Sequence, residues 1–331
     1  MRKLIKEEFL MKAKKVILAI IAGLIIASLG FAILKTGNKH EKDSSKIQVV
    51  TSNFASYDFL RAIIGDNKNI ELIFLIGPGK DAHSYDPTAK DLITIQNSDL
   101  FVYLGGETEK WAGKVLSSIE NNEMKTICIS DFVDTMEEQE VDGAEEEEEE
   151  EEDEGAFDEH IWTSPENAIK MVEALEKAME EIDSENIETY KGNSENYIAE
   201  INEVDSKIQE IVDHKVRDRL IFGDRMPMQY FINYYSLNVS AAFSGCSTET
   251  EPSASTIAYL ESKVKEDKIP VVLYIELNNG RVAKTIANEV ENCEAMQIQT
   301  MHNVSLDDFK NGETWVSLMT RNIEVLKKAL Q

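Results

Sequence analysis

The chain holds five histidines, and two of them stand in loops of similar make-up. His83 lies between Asp81 and Asp86 in Gly79-Lys80-Asp81-Ala82-His83-Ser84-Tyr85-Asp86-Pro87, directly after the apolar run Ile70 to Ile76. His160 follows two acids in Phe157-Asp158-Glu159-His160-Ile161-Trp162-Thr163-Ser164-Pro165, where Ser164-Pro165 reads as a helix start. A neutral imidazole is the commonest protein ligand for zinc and related ions, and a neighbouring carboxylate orients the ring or raises the local cation concentration. One acid-flanked histidine is an ordinary surface loop; two in one chain make a candidate metal site. Two further residues can join them. Glu276 follows the strand-like run Val271 to Ile275, and His302 follows Met296 to Thr300. In a parallel sheet both would rise to the C-terminal edge, where α/β proteins hold their ligands. His40, in a polar spacer, and His214, near the end of a long helical stretch, are left out of the site.

The two histidine loops resemble the signature of the metal-ion-specific substrate-binding proteins of ABC transporters, the zinc and manganese receptors. That family carries a glycine-aspartate-x-histidine-serine-tyrosine-x-proline segment in its first half and an acid-histidine-x-tryptophan-x-x-proline segment before the region between its lobes. Both stand here in that order, and the likeness continues through Ile221 to Pro227, Ser247 to Ser253 and Tyr274 to Gly280. The resemblance implies a receptor on the outer face of the cell membrane that captures a divalent metal between two lobes and passes it to an ABC permease. Zinc is the first choice of metal and manganese the second, since imidazole-rich sites suit zinc.

The chain departs from the family at one position. Many relatives place a third histidine in a phenylalanine-histidine-aspartate segment, whereas this chain reads Phe222-Gly223-Asp224. The second lobe must then contribute from elsewhere. His83 and His160 from the first lobe, with His302 and Glu276 from the second, are the expected ligands of a closed tetrahedral site. A competing arrangement uses Asp224, with Arg225 opposing the cation or pairing with Glu276. Two other functions compete with the receptor. A zinc hydrolase would hold the metal with His83, His160 and a carboxylate and keep one position open for water, but no HExxH segment, nucleophile elbow or phosphate loop accompanies them. An adhesin or scaffold would keep the fold with a degraded site, and metal affinity separates it from a receptor.

These residues need a frame, and from Ile47 onward the pattern alternates strand and helix. Strands are expected at Ile47 to Thr51, Ile70 to Ile76, Leu100 to Leu104, Leu220 to Phe222, Val239 to Phe243, Val271 to Ile275 and Met296 to Thr300. Helices are expected at Tyr57 to Ile64, Thr88 to Asn97, Lys110 to Glu120, Pro165 to Glu181, Pro227 to Tyr235, Ser253 to Glu266, Val282 to Val290 and Thr314 to Leu330. Between the halves, Asn186 to about Val216 carries apolar residues at helical spacing, from Tyr190 and Tyr197 through Ile201, Val204, Ile208 and Ile211. The fold class is therefore α/β: two lobes (47–185 and 217–331), each a parallel sheet flanked by helices, joined by one long linking helix (186–216).

The remaining stretches are of other kinds. Residues 1–46 hold ten Lys/Arg against four Asp/Glu, and Lys12, Lys14 and Lys15 precede an uncharged apolar run from Val16 to Leu34. At 19 residues this run approaches the ~20 that span a bilayer, so an uncleaved signal anchor is expected, with cleavage near Gly30-Phe31-Ala32 as the alternative. No cysteine follows it to carry a lipid. The region 134–157 lacks periodicity and contains the glutamate run Glu145 to Glu152, which reads as a disordered, solvated loop that gathers cations weakly. A net charge of -28 argues against nucleic acid as a partner. Cys128, Cys246 and Cys293 show no metal-finger spacing; a Cys246 to Cys293 disulfide is conceivable.

Overall fold

The computed structural model describes residues 46–119, 121, 123–145, 157–247 and 251–331. The expected anchor lies outside them, as does the glutamate run after Glu145. No helix among the described residues is long and apolar enough to cross a membrane.

Strand β1 (Ile47–Thr51) leads into helix α1 (Phe54–Ile64), which starts earlier than its apolar spacing suggests because the Asn53 side chain accepts from Ser56 N and caps it. Then come β2 (Ile70–Phe74), α2 (Ala89–Gln96), β3 (Leu100–Tyr103), α3 (Lys110–Ser118) and β4 (Lys125–Cys128). The last strand was not expected: only Ile127 of its four residues is buried, so its sequence carries no strand period. Pairing to β3 makes it. Helix α4 (Pro165–Ile182) has Ser164 as its N-cap and Pro165 in its first turn, and α5 (Ile187–Asp213) is the long helix, ~40 Å at 1.5 Å per residue.

The second half contains β5 (Arg219–Arg225), α6 (Gln229–Tyr234), β6 (Asn238–Phe243), α7 (Ala254–Glu266), β7 (Val271–Ile275), α8 (Arg281–Asn288), β8 (Glu294–Ile298), a short α9 (Leu306–Lys310) and α10 (Trp315–Leu330). The sheets are wholly parallel and share one order, β2-β1-β3-β4 and β6-β5-β7-β8. The order reverses beside β1 and beside β5, and such reversals open ligand crevices at the strand ends. The α/β fold class with a long helix is as expected.

Each sheet has one face on a shared core and one on its own outer helices. The outer faces pack Val50 and Phe101 against Ile95 and Ala112, and Ile221 and Val272 against Leu260 and Ile286. The shared core runs without a break from Val49 and Leu100 through Trp162, Tyr197 and Ile201 to Phe222 and Trp315, with α1, α4, α5 and α10 supplying it.

Part of the acidic region behaves differently from the expected solvated loop. Met136 to Glu145 crosses to the second sheet: Met136 N donates to Tyr230 Oη at 3.0 Å, Gln139 N to Gln229 Oε1 at 2.9 Å, and Glu145 N to Ala242 O at 3.1 Å. Asp142 bridges to Ser240 beside β6 and pairs with Arg219 at 3.0 Å, while Glu137 bridges back to Phe157. Met136 and Val141 pack partly buried against the shared core, and the rest of the strap is held by backbone groups and single polar side chains, which is why it lacks an apolar period. The conceived disulfide is also absent: Cys246 and Cys293 are free thiols, as is Cys128.

Candidate metal site

Three histidines far apart in sequence converge where the two sheet edges meet. One ring nitrogen from each of His83, His160 and His302 lies within 4.8 Å of those of the other two. The ring centroids are 5.7 Å apart for His83 and His160, 4.6 Å for His83 and His302, and 5.4 Å for His160 and His302.

Each ring is fixed by its own loop. His83 sits in the turn after β2, where its backbone N–H donates to Asp81 Oδ1 at 3.0 Å. Arg225, the last residue of β5, donates from Nη2 to Asp81 Oδ2 at 2.6 Å and from Nη1 to Ser247 O at 3.1 Å. Arg225 thus pairs with Asp81, not with Glu276. Desolvation of Asp81 is outweighed by this guanidinium and by the His83 N–H, so its carboxyl is held below the ordinary range. His160 is almost fully buried, and Asp158 Oδ1 accepts from its backbone N at 2.8 Å and lies 3.1 Å from its Nδ1. That contact sets Nδ1 as the protonated nitrogen and leaves Nε2 with its lone pair free. Trp162 stands beside His160 and reaches across to the other lobe, its Nε1 donating to Thr300 O at 2.8 Å.

His302 owes its place to Glu276. The Glu276 carboxylate accepts from Thr300 N at 2.8 Å, Thr300 Oγ1 at 2.8 Å and His302 N at 2.9 Å. Burial pushes the Glu276 carboxyl up against these hydrogen bonds. Asn303 and Val304 then tie the loop to the first lobe: Asn303 Nδ2 donates to Gly77 O at 3.1 Å and to Lys80 O at 2.5 Å, and Gly79 N donates to Val304 O at 2.8 Å.

Of the four residues expected from sequence, the structure brings His83, His160 and His302 together and turns Glu276 into the loop behind His302. Strand spacing carries no sign of this, because the donors that claim the carboxylate lie 24 and 26 residues away. The competitor, Asp224, is also occupied, accepting from Arg225 N at 2.9 Å and Ile275 N at 3.2 Å. The vacant third-histidine position is closed by packing: a Cβ on Gly223 would stand 2.5 Å from Ala283 Cα in α8. His214 stays remote, with Nδ1 2.8 Å from Glu210 O at the end of α5.

The donor set fits a borderline-soft divalent ion. Nε2 of both His83 and His160 is buried with no hydrogen-bond partner among the described residues, an expensive arrangement unless something else accepts the lone pair. Desolvation, with repulsion from His160 and Arg225, pushes the His83 imidazole down to about 3; desolvation, with repulsion from His83 and His160, holds His302 well below its ordinary value. Both rings are therefore neutral at physiological pH, the form that coordinates metals.

Two like-ordered parallel sheets thus meet at a three-histidine cluster, with one long helix packed along their shared core. Residues 49–329 match the family described as zinc-uptake complex component A, periplasmic (ZnuA), and the chain belongs to that family. It is 30% identical over 311 residues to the high-affinity zinc uptake system protein ZnuA of Bacillus subtilis, covering 92% of this chain and 96% of that one. It is 29% identical over 305 residues to the zinc-binding lipoprotein AdcA of Streptococcus pneumoniae, covering 92% of this chain and 60% of that relative's length. Among solved structures, the Zn(II)-bound ZnuA-like domain of that AdcA superposes with a TM-score of 0.70 at 28% identity, covering 86% of this chain and 99% of the domain. The metal-dependent lipoprotein YcdH of Bacillus subtilis superposes with a TM-score of 0.72 at 27% identity, again covering 86% and 99%.

Proposed function

We propose that this protein is an extracytoplasmic receptor that captures a divalent transition metal, zinc before manganese, and delivers it to an ABC permease. The observation that carries this reading is the pair of buried, unpartnered Nε2 atoms of His83 and His160 facing His302. The relatives support the choice of metal, being named for zinc binding and zinc uptake. The three histidines are the proposed ligands. Asp158 orients His160, and Glu276 holds the His302 loop instead of coordinating. Among the described residues Asp81, Asp158, Asp224 and Glu276 each accept hydrogen bonds from the loops that carry or flank the histidines, a positioning role that suits a receptor.

The test is calorimetric titration of the full chain with zinc chloride. One zinc should bind, and His83→Ala, His160→Ala and His302→Ala should each cost more affinity than the ~10–100-fold expected for losing an outer-sphere partner. Unchanged affinity in all three variants would overturn the assignment. We further propose that Val16 to Leu34 tethers the receptor to the membrane. A soluble mature form beginning after Ala32 would contradict the tether.

A further inference from the structure

Because Asp158 orients His160, whatever fixes Asp158 also fixes the direction of the His160 Nε2 lone pair. Both main-chain groups of Asp158 are held from outside its own loop. Its N–H donates to Met136 O at 2.9 Å in the strap, and its carbonyl accepts from Tyr230 Oη at 2.8 Å.

Tyr230 stands in α6 of the second lobe, whereas His160 belongs to the first. Its hydroxyl closes a three-cornered arrangement, since it also accepts from Met136 N at 3.0 Å. An amide N–H only donates, so the single hydroxyl hydrogen is directed to Asp158 O. Burial pushes the Tyr230 phenol up, which keeps that hydrogen in place at physiological pH. The preceding residue steadies the strap: Gln229 Nε2 donates to Glu137 O at 2.8 Å and Oε1 accepts from Gln139 N at 2.9 Å, while Glu137 bridges to Phe157. Tyr230, Asp158 and His160 are only 3%, 1% and 1% exposed, so bulk water does not replace a bond lost among them.

We infer that Tyr230 is a positioning residue for the metal: its hydroxyl, contributed by the lobe opposite His160, locks the Asp158 main chain and through it aims His160 Nε2 into the site. This rests on the three-histidine metal reading and adds that the second lobe sets a first-lobe ligand.

The test compares the detergent-solubilised full chain with Tyr230→Phe, which keeps the ring in the core and removes only the hydroxyl. Zinc affinity is read by competition with a chromophoric chelator, and site geometry by the visible absorption of bound Co(II). Tyr230→Phe should weaken zinc binding about tenfold, the lower end of the range for outer-sphere partners of a ligand histidine, and should shift the Co(II) bands. In an Asp158→Asn background the same change should cost much less, since the two residues act in one series of bonds. Tyr235→Phe is the control: it removes a hydroxyl bond of 2.7 Å to Asp205 in the long helix, and should lower the urea midpoint without moving affinity or spectrum. Wild-type affinity with unshifted Co(II) bands in Tyr230→Phe overturns the inference, whatever its urea midpoint, and leaves the receptor reading standing. A tenfold loss that persists undiminished in the Asp158→Asn background, or an equal loss in Tyr235→Phe, overturns it as well. Failure of the unaltered chain to bind zinc or Co(II) removes the metal reading itself, and the inference with it.

Discussion

At His160 the ring is almost entirely shut off from water, so the fate of each nitrogen has consequences: Nδ1 meets Asp158, and Nε2 has no hydrogen-bond partner among the described residues. Replacing Asp158 with Asn keeps the shape but removes the charge that fixes the tautomer. Zinc affinity should fall ~10–100-fold, read by competition with a chromophoric chelator, and an unchanged constant would show that Asp158 has no part in orienting the ligand. The three histidines were legible in the sequence because each follows a strand or precedes a helix start, positions that lie at the C-terminal edges of the sheets or at loops beside them. Glu276 was legible only as a position. Which way its side chain turns depends on Thr300 and His302 N, partners that strand periodicity does not reveal.

Strands and helices with a clear apolar period came out near their expected bounds, whereas elements held by pairing alone did not. Strand β4 and the strap from Met136 to Glu145 belong to the second kind, fixed by neighbours and not by their own pattern. Glu109, at the entry to α3, shows the same dependence on context. Its carboxylate caps the turn after β3, accepting from Leu104 N at 2.5 Å and Gly105 N at 3.3 Å, and Gly105 has a positive φ of 90°. Desolvation, reinforced by the nearby Glu159, outweighs these bonds and pushes the Glu109 carboxyl up from 4.5 to about 7. The folded state thus holds this proton more tightly than the unfolded chain. Its contribution to stability is full below 4.5 and is lost as pH rises through about 7. Glu109→Gln should remove that loss: relative to wild type, the variant should gain about 3 kcal/mol in urea denaturation between pH 4.5 and pH 8. A stability difference that stays constant with pH would contradict the shift.

Across the whole molecule, the two lobes are joined by polar contacts as well as by the shared core. Asp58, fully buried in α1, accepts from Trp315 N at 2.6 Å in α10, from Tyr197 Oη in the long helix, and from Arg61. Arg61 continues to Glu313 O at 2.8 Å. One carboxylate therefore links the first lobe, the linking helix and the terminal helix. Asp58→Ala would leave two buried donors without acceptors, at about 1–3 kcal/mol each, so a loss of roughly 2–6 kcal/mol is expected in chemical denaturation. A loss below about 0.5 kcal/mol, the usual range for surface substitutions, would show that the link is incidental.

The division into two sheets and a long helix was readable from alternation and period because those signals are local. The convergence of His83, His160 and His302 is a property of how the lobes meet, and it places the proposed metal on groups from both. A crystal structure with zinc, using anomalous scattering at the zinc edge, tests this most directly. One ion is expected, coordinated by Nε2 of His83, Nε2 of His160 and a ring nitrogen of His302, with Glu276 still bonded to Thr300. An ion held by Asp224 or by first-lobe groups alone, with His302 outside coordination distance, would contradict it.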